Sequence, residues 1–228
     1  MKWMNKLERK YRKYAIKNLI FYIIALNALV FIIDLVAPAG ISPDKLLVLD
    51  PGLVLQGEVW RLVTYLFIPP STSPVWIIFI LYFYYIVGSG LEQAWGAFKF
   101  NLYYLIGMAG TTAAAFITGY GDTGVYLNLS LFLAFAFLYP DFQVLLFFIL
   151  PVKVKYLAWL NWALLGGTVI LAGLPHKIAA AAAVVNYFVF FGPDLYRRIR
   201  LKNKIRQNRR RFLSEVRKGR KSSRRRDD

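Results

Sequence analysis

Few residues of this chain are equipped for catalysis, and their scarcity narrows the chemistry. The 228 residues hold one histidine, His176, and no cysteine. One histidine cannot build a multi-histidine metal centre. Without cysteine there is no thiol nucleophile, thiolate metal site or disulfide, so neither metal nor other cofactor is expected. Ser130, flanked by Leu129 and Leu131, carries a hydroxyl of the kind that an imidazole can activate for covalent chemistry. In such a run a serine more often bonds back to its own helix or touches a neighbouring one. Thr118 to Asp122 contain a Gly-x-Gly-Asp. Aspartyl chemistry there would need a second membrane aspartate, and only Asp34 is available.

The elements that must position these groups are membrane spans. The chain is 58% hydrophobic with a mean hydropathy of +0.46, more apolar surface than one soluble core of this length can bury. Six apolar stretches are predicted to be transmembrane helices: 19–37, 74–91, 100–118, 124–139, 154–173 and 177–192. The first follows a basic segment and ends near Ala37-Pro38-Ala39, as a signal peptide could. It is longer than a signal-peptide core, so it reads as a retained span. The fourth and sixth provide roughly 24 Å of helix, short of a ~30 Å hydrocarbon core. Either the bilayer thins around them or their ends extend into flanking residues.

The cations carry the topology. The net charge is +17 from 29 Lys and Arg residues. Lys2 to Lys17 precede the first span, Arg197 to Arg226 follow the last, and Lys99, Lys153 and Lys155 lie in connections of the same parity. The opposite side holds only Lys45, Arg61 and Lys177. The positive-inside rule then places residues 1–17, 93–99, 140–153 and 194–228 in the cytoplasm. Between the first two spans, Leu53 to Phe67 mix apolar and polar residues and predict an interfacial helix, with Trp60 at headgroup depth and Arg61 snorkelling. Val144 to Leu150 form a second interfacial candidate, closed by Pro151.

Three motifs in order resemble the rhomboid superfamily of intramembrane serine proteases and their inactive relatives, including the derlins. Gly57 to Thr64, containing Trp60-Arg61, is similar to the Trp-Arg motif of the rhomboid first loop. Gly90-Leu91-Glu92-Gln93-Ala94-Trp95-Gly96 resembles the Leu-Glu-x-x-x-Gly at the end of span two. Phe137 to Lys153, containing Pro140, resembles the junction of spans four and five. The resemblance covers roughly residues 20 to 190. It implies an all-α, six-helix membrane bundle with a long interfacial first loop, in which Trp60, Arg61, Glu92, Gly96 and Pro140 are structural.

The catalytic positions depart from that family. Aligned without gaps on Pro140, the family's Gly-x-Ser-Gly falls on Thr123-Gly124-Val125-Tyr126, which puts Val125 at the nucleophile position. Ile68-Pro69-Pro70 and Pro74 to Ile78 stand where the family has oxyanion-side His and Asn, and such donors are worth roughly 3–4 kcal/mol. His176 precedes Ala179 and Ala183 as the family histidine precedes two small residues, a spacing that also lets helices pack closely. Alternatively, His176 caps a helix at the membrane surface.

Thr118 to Asp122 also look like a potassium-channel filter lacking one residue. A full-length span leads into them where a filter has a short pore helix, so a glycine-rich turn is the simpler reading. The tail mixes Ile199, Ile205, Phe212 and Val216 with cations. It reads either as an anionic-lipid contact or as a solvated, disordered segment; no nucleic-acid partner is expected. The expected organisation is a basic N-terminus (1–18), a membrane domain (19–192) and a basic tail (193–228). The functional expectation is a pseudoprotease handling transmembrane clients in a prokaryotic plasma membrane, both termini cytoplasmic. The alternatives are an active protease using Ser130 and His176 and, more remotely, a channel or transporter.

Overall fold

A computed structural model describes residues 2–37, 43–146 and 150–224. Pro38 to Gly40, where a cleavage site and the end of the first span were weighed, lie outside the described residues. So do Phe147 to Ile149 of the second interfacial candidate and Arg225 to Asp228 of the tail.

The chain is predominantly helical and divides into two compact units, residues 1–188 and 189–228. The first opens with α1 (Lys2–Tyr11), an amphipathic helix. Met4 is buried, and Glu8 pairs with Lys99 at 3.2 Å. The basic N-terminus is therefore packed on the membrane unit. Next come α2 (Leu19–Val36) and three short helices of the first loop, α3 (Pro43–Leu47), α4 (Pro51–Leu55) and α5 (Arg61–Thr64). Then follow α6 (Pro74–Trp95), α7 (Ala97–Thr118), α8 (Val125–Leu138) and α9 (Val154–Leu171). The final helix, α10, runs from Leu174 to Arg224 with Pro193 inside it, so helix continues past 192 through the described part of the tail.

Among the described residues, five helices are long and apolar enough to cross a membrane: α2, α6, α7, α9 and the Leu174–Pro193 part of α10. Their large apolar side chains face outward, including Phe21, Ile32, Leu35, Trp159, Ile170 and Leu171. A soluble protein would not present so much apolar surface. This is a predominantly helical integral membrane architecture. The remaining apolar helix, α8, has only 14 residues, about 21 Å. It packs against α6, α7 and α9, and residues 130–136 are buried without interruption. An apolar side chain on every face fits a helix surrounded by protein.

Two local expectations are corrected. Leu53 to Phe67 is not one interfacial helix. Asp50 caps α4 by accepting from Gly52 and Leu53 N–H. Gly57, at φ 109°, then ends that turn before α5 and a 3-10 turn over Tyr65–Phe67. Of the second interfacial candidate, Val144 to Leu146 and Leu150 are strand rather than helix: β1 (Gln143–Leu146) and β2 (Leu150–Lys153) pair antiparallel, Val144 opposite Val152 and Leu145 opposite Pro151. A short apolar run has no periodicity to separate strand from helix.

Asparagines tie the apolar helices together. Asn27 Nδ2 donates to Leu66 O at 3.0 Å, fixing α2 to the first loop. Asn161 Nδ2 donates to Leu129 O at 3.0 Å, fixing α9 to α8. Contacts of this kind average about 0.6 kcal/mol in membranes, yet each also specifies register. At Gly107 of α7, an added Cβ would stand 2.0 Å from Leu127 of α8. Any larger residue there requires Leu127 Cδ1 and Asn186 Nδ2 to shift.

Candidate functional site

The residues of the sequence motifs hold the first loop and the helix connections at the other end of the bundle. Arg61 is 2% exposed. Its Nε donates to Glu58 Oε2 at 2.6 Å, and Nη1 donates to the carbonyls of Lys45 and Val48 at 2.8 and 2.9 Å. It does not snorkel. The guanidinium fork instead satisfies carbonyls at the end of α3, where a helix leaves its last acceptors unpaired. Thr64 Oγ1 donates to Leu47 O, and Trp60 Nε1 donates to Leu46 O at 3.4 Å. At the other end of the bundle, Glu92 Oε1 accepts from the backbone N–H of Asn18 at 2.8 Å, just before α2. Gly96, at φ 83°, makes the one-residue turn between α6 and α7. Pro140 O accepts from Lys155 N–H at 3.1 Å. Beside it Asp141 pairs with Lys155 at 3.1 Å and Lys153 at 3.7 Å, and Lys155 holds the Asp141 carboxyl below the usual carboxylate range.

Ser130 and His176 have different partners. Ser130 is fully buried. Its hydroxyl donates to Leu127 O at 2.8 Å and accepts from Tyr103 Oη at 3.1 Å, with Asn186 Nδ2 at 3.5 Å. His176 Nδ1 lies 3.3 Å from Tyr126 Oη, with ring centroids 6.4 Å apart. Along α8, Ser130 sits one turn, about 6 Å, beyond Tyr126. Along α10, Asn186 is about 15 Å beyond His176. The serine thus belongs to a buried interhelical bond and the histidine to an exposed one.

His176 opens onto a cleft of about 530 Å³, lined by the end of α7, the start of α8, Thr168 of α9 and the start of α10. Val125 and Tyr126 both line it, because Gly124 turns the chain into α8 with φ 74°. Ala179 also lines the cleft, and Ala179 and Ala183 are both buried. α10 meets α7 where Ala182 lies 3.7 Å from the Cβ that Gly110 lacks.

Asp122 supplies the cleft's acidic group. Backbone bonds in both directions with Leu49, at 3.2 and 3.0 Å, fix it to the first loop. Its Oδ1 accepts from Gly124 N–H at 2.7 Å. Burial pushes the carboxyl up from its ordinary value, against the pull of the Gly124 and Thr123 N–H groups and the His176 charge. Nearby, burial and the Asp122 charge raise the Tyr65 phenol. Among the described residues no three His, Asp, Glu or Cys side chains converge to hold a metal.

Chemically, the cleft offers the Asp122 carboxyl, the His176 imidazole, the Tyr120 and Tyr126 phenols and the hydroxyls of Thr118, Thr123 and Thr168. The Thr118 and Thr168 hydroxyls donate to carbonyls of their own helices, and a phenol leaning on an imidazole orients and shares a proton but is a poor substitute for a serine alkoxide. Tyr126 and Asp122 as cleft partners of His176 were not singled out in the sequence; the Gly-x-Gly-Asp turn before an apolar helix was the available signal. In comparison with known proteins, no family model and no curated protein matches this chain.

Proposed function

We propose that this integral membrane protein is a rhomboid-like pseudoprotease that binds transmembrane client segments without cutting them. In this reading α8 is the short fourth of six spans, and both termini lie in the cytoplasm of a prokaryote. The cleft around His176 then opens on the opposite side. One observation carries the proposal: the only imidazole is engaged by Tyr126, while the only serine in α8 is fully buried and bonded elsewhere. A client segment whose helix is interrupted near the membrane surface exposes unpaired backbone groups, costly in lipid. Asp122, Tyr126, His176 and Thr168 present donors and acceptors to such groups where water can also enter. The protease alternative would require His176 to leave Tyr126 and Ser130 to leave Tyr103.

The test is photo-crosslinking from position 120, since Tyr120 lines the cleft and is 66% exposed. A benzophenone residue there, in native membranes, should trap intact single-pass segments. Recovery of cleaved segments, or of none from a panel with helix-breaking residues, would overturn the proposal.

A further inference from the structure

We propose that a second cleft, at the opposite end of the bundle, is a binding site for one anionic phospholipid of the cytoplasmic leaflet; only the choice of leaflet rests on the orientation proposed above. This cleft has a volume of about 560 Å³ and lies among the turn after α1, the start of α2, the end of α6 and the start of α7.

Its charges are sorted. Glu8 is paired with Lys99, and Glu92 is occupied by the Asn18 N–H. Arg12 and Lys17 also line the cleft and are exposed, and neither has an ion-pair partner among the described residues. Two free cations beside engaged carboxylates make a site for a monoanion, and Arg in particular matches phosphate geometry. Ser89 and the exposed Gln93 add neutral polar groups on the same wall.

The lower wall is apolar. Phe21 of α2 and Tyr85 of α6 line the cleft and are 56% and 49% exposed, continuing into the outward faces of the two spans. A soluble phosphate would use only the upper half of this cavity. A diacyl phosphate ester uses both, its headgroup on Arg12 and Lys17 and its chains along Phe21 and Tyr85. The amphipathic α1 sets the depth, because such a helix lies at the headgroup boundary.

The experiment is native mass spectrometry of the full chain in detergent, titrated separately with phosphatidylglycerol and phosphatidylcholine. The expected result is one tightly held phosphatidylglycerol and weak phosphatidylcholine binding. Arg12→Gln with Lys17→Gln should weaken phosphatidylglycerol about 30-fold, roughly fivefold for each cation near the surface. Both side chains are exposed, so the melting temperature should not move. Lys204→Gln with Arg209→Gln removes equal charge from the tail and should leave that first binding event unchanged. Equal weakening by the two double variants would mean diffuse charge attraction and overturn the site. So would no weakening by either, or displacement of the lipid by millimolar inorganic phosphate.

Discussion

Replacing Arg61 by alanine removes a buried cation that holds the first loop together. Two charge-assisted bonds disappear, to Lys45 O and Val48 O, each worth about 1.5–3 kcal/mol. The Glu58 pair adds less, because the Glu58 side chain is 32% exposed and solvent screening holds such a pair to about 1 kcal/mol or below. The expected loss is therefore about 3–7 kcal/mol, a drop on the order of 10–20 °C in detergent for a chain of this size. Arg61→Lys should fall between, since one ammonium cannot span Glu58 and two carbonyls. Glu58→Gln should cost little. Scanning fluorimetry reads the melting temperatures, and hydrogen exchange at Val48 and Leu49 reports whether the loop opens locally. Ser130→Ala, which loses neutral interhelical bonds from Tyr103 and Asn186, serves as the reference. Arg61→Ala melting with the parent, with unchanged exchange at Val48 and Leu49, would refute the reasoning.

Three further outcomes follow from the same geometry. Gly107→Val should abolish folded yield in size-exclusion chromatography, because its Cβ would meet Leu127 at 2.0 Å and Asn186 at 2.9 Å. Gly110→Ala should be tolerated with its Cβ 3.7 Å from Ala182, and an accumulation of folded Gly107→Val would count against the packing. The raised Asp122 carboxyl favours the protonated group in the folded state. That stability is complete below the ordinary carboxylate value of about 4 and is lost as pH rises through the raised one. Asp122→Asn should flatten this decline in a series of melting temperatures against pH, and an unaltered slope would exclude Asp122 as its source. Because the chain has no cysteine, Arg209→Cys and Tyr120→Cys can be probed with an impermeant maleimide; from outside intact cells only position 120 should label, and labelling at 209 would sink the proposed orientation.

The spans were legible because a run of apolar side chains long enough for a bilayer is a signal with few competitors. α2, α7 and α9 end within three residues of the limits read from sequence, and α6 runs four residues further, to Trp95. The first loop was legible as a unit but not in detail. Nothing local in Leu53 to Phe67 states that Arg61 folds back onto Lys45 and Val48, thirteen or more residues earlier in the chain. The β hairpin was hidden for the opposite reason: its apolar strands are too short to show a period. His176 was conspicuous by being alone, yet its partner was not. Tyr126 is one of 15 tyrosines, and only the start of α8 facing the start of α10 distinguishes it.

The central claim meets its most direct test in proteoliposomes. The full chain, with His176→Ala and Ser130→Ala beside it, is reconstituted with a generic rhomboid substrate and, separately, treated with a fluorophosphonate serine probe. Ser130 bonded to Tyr103 and His176 bonded to Tyr126 predict an uncut substrate and an unlabelled protein in all three samples. Cleavage by the parent that disappears in both variants, with probe labelling lost in Ser130→Ala, would contradict the account and make Ser130 and His176 a working dyad.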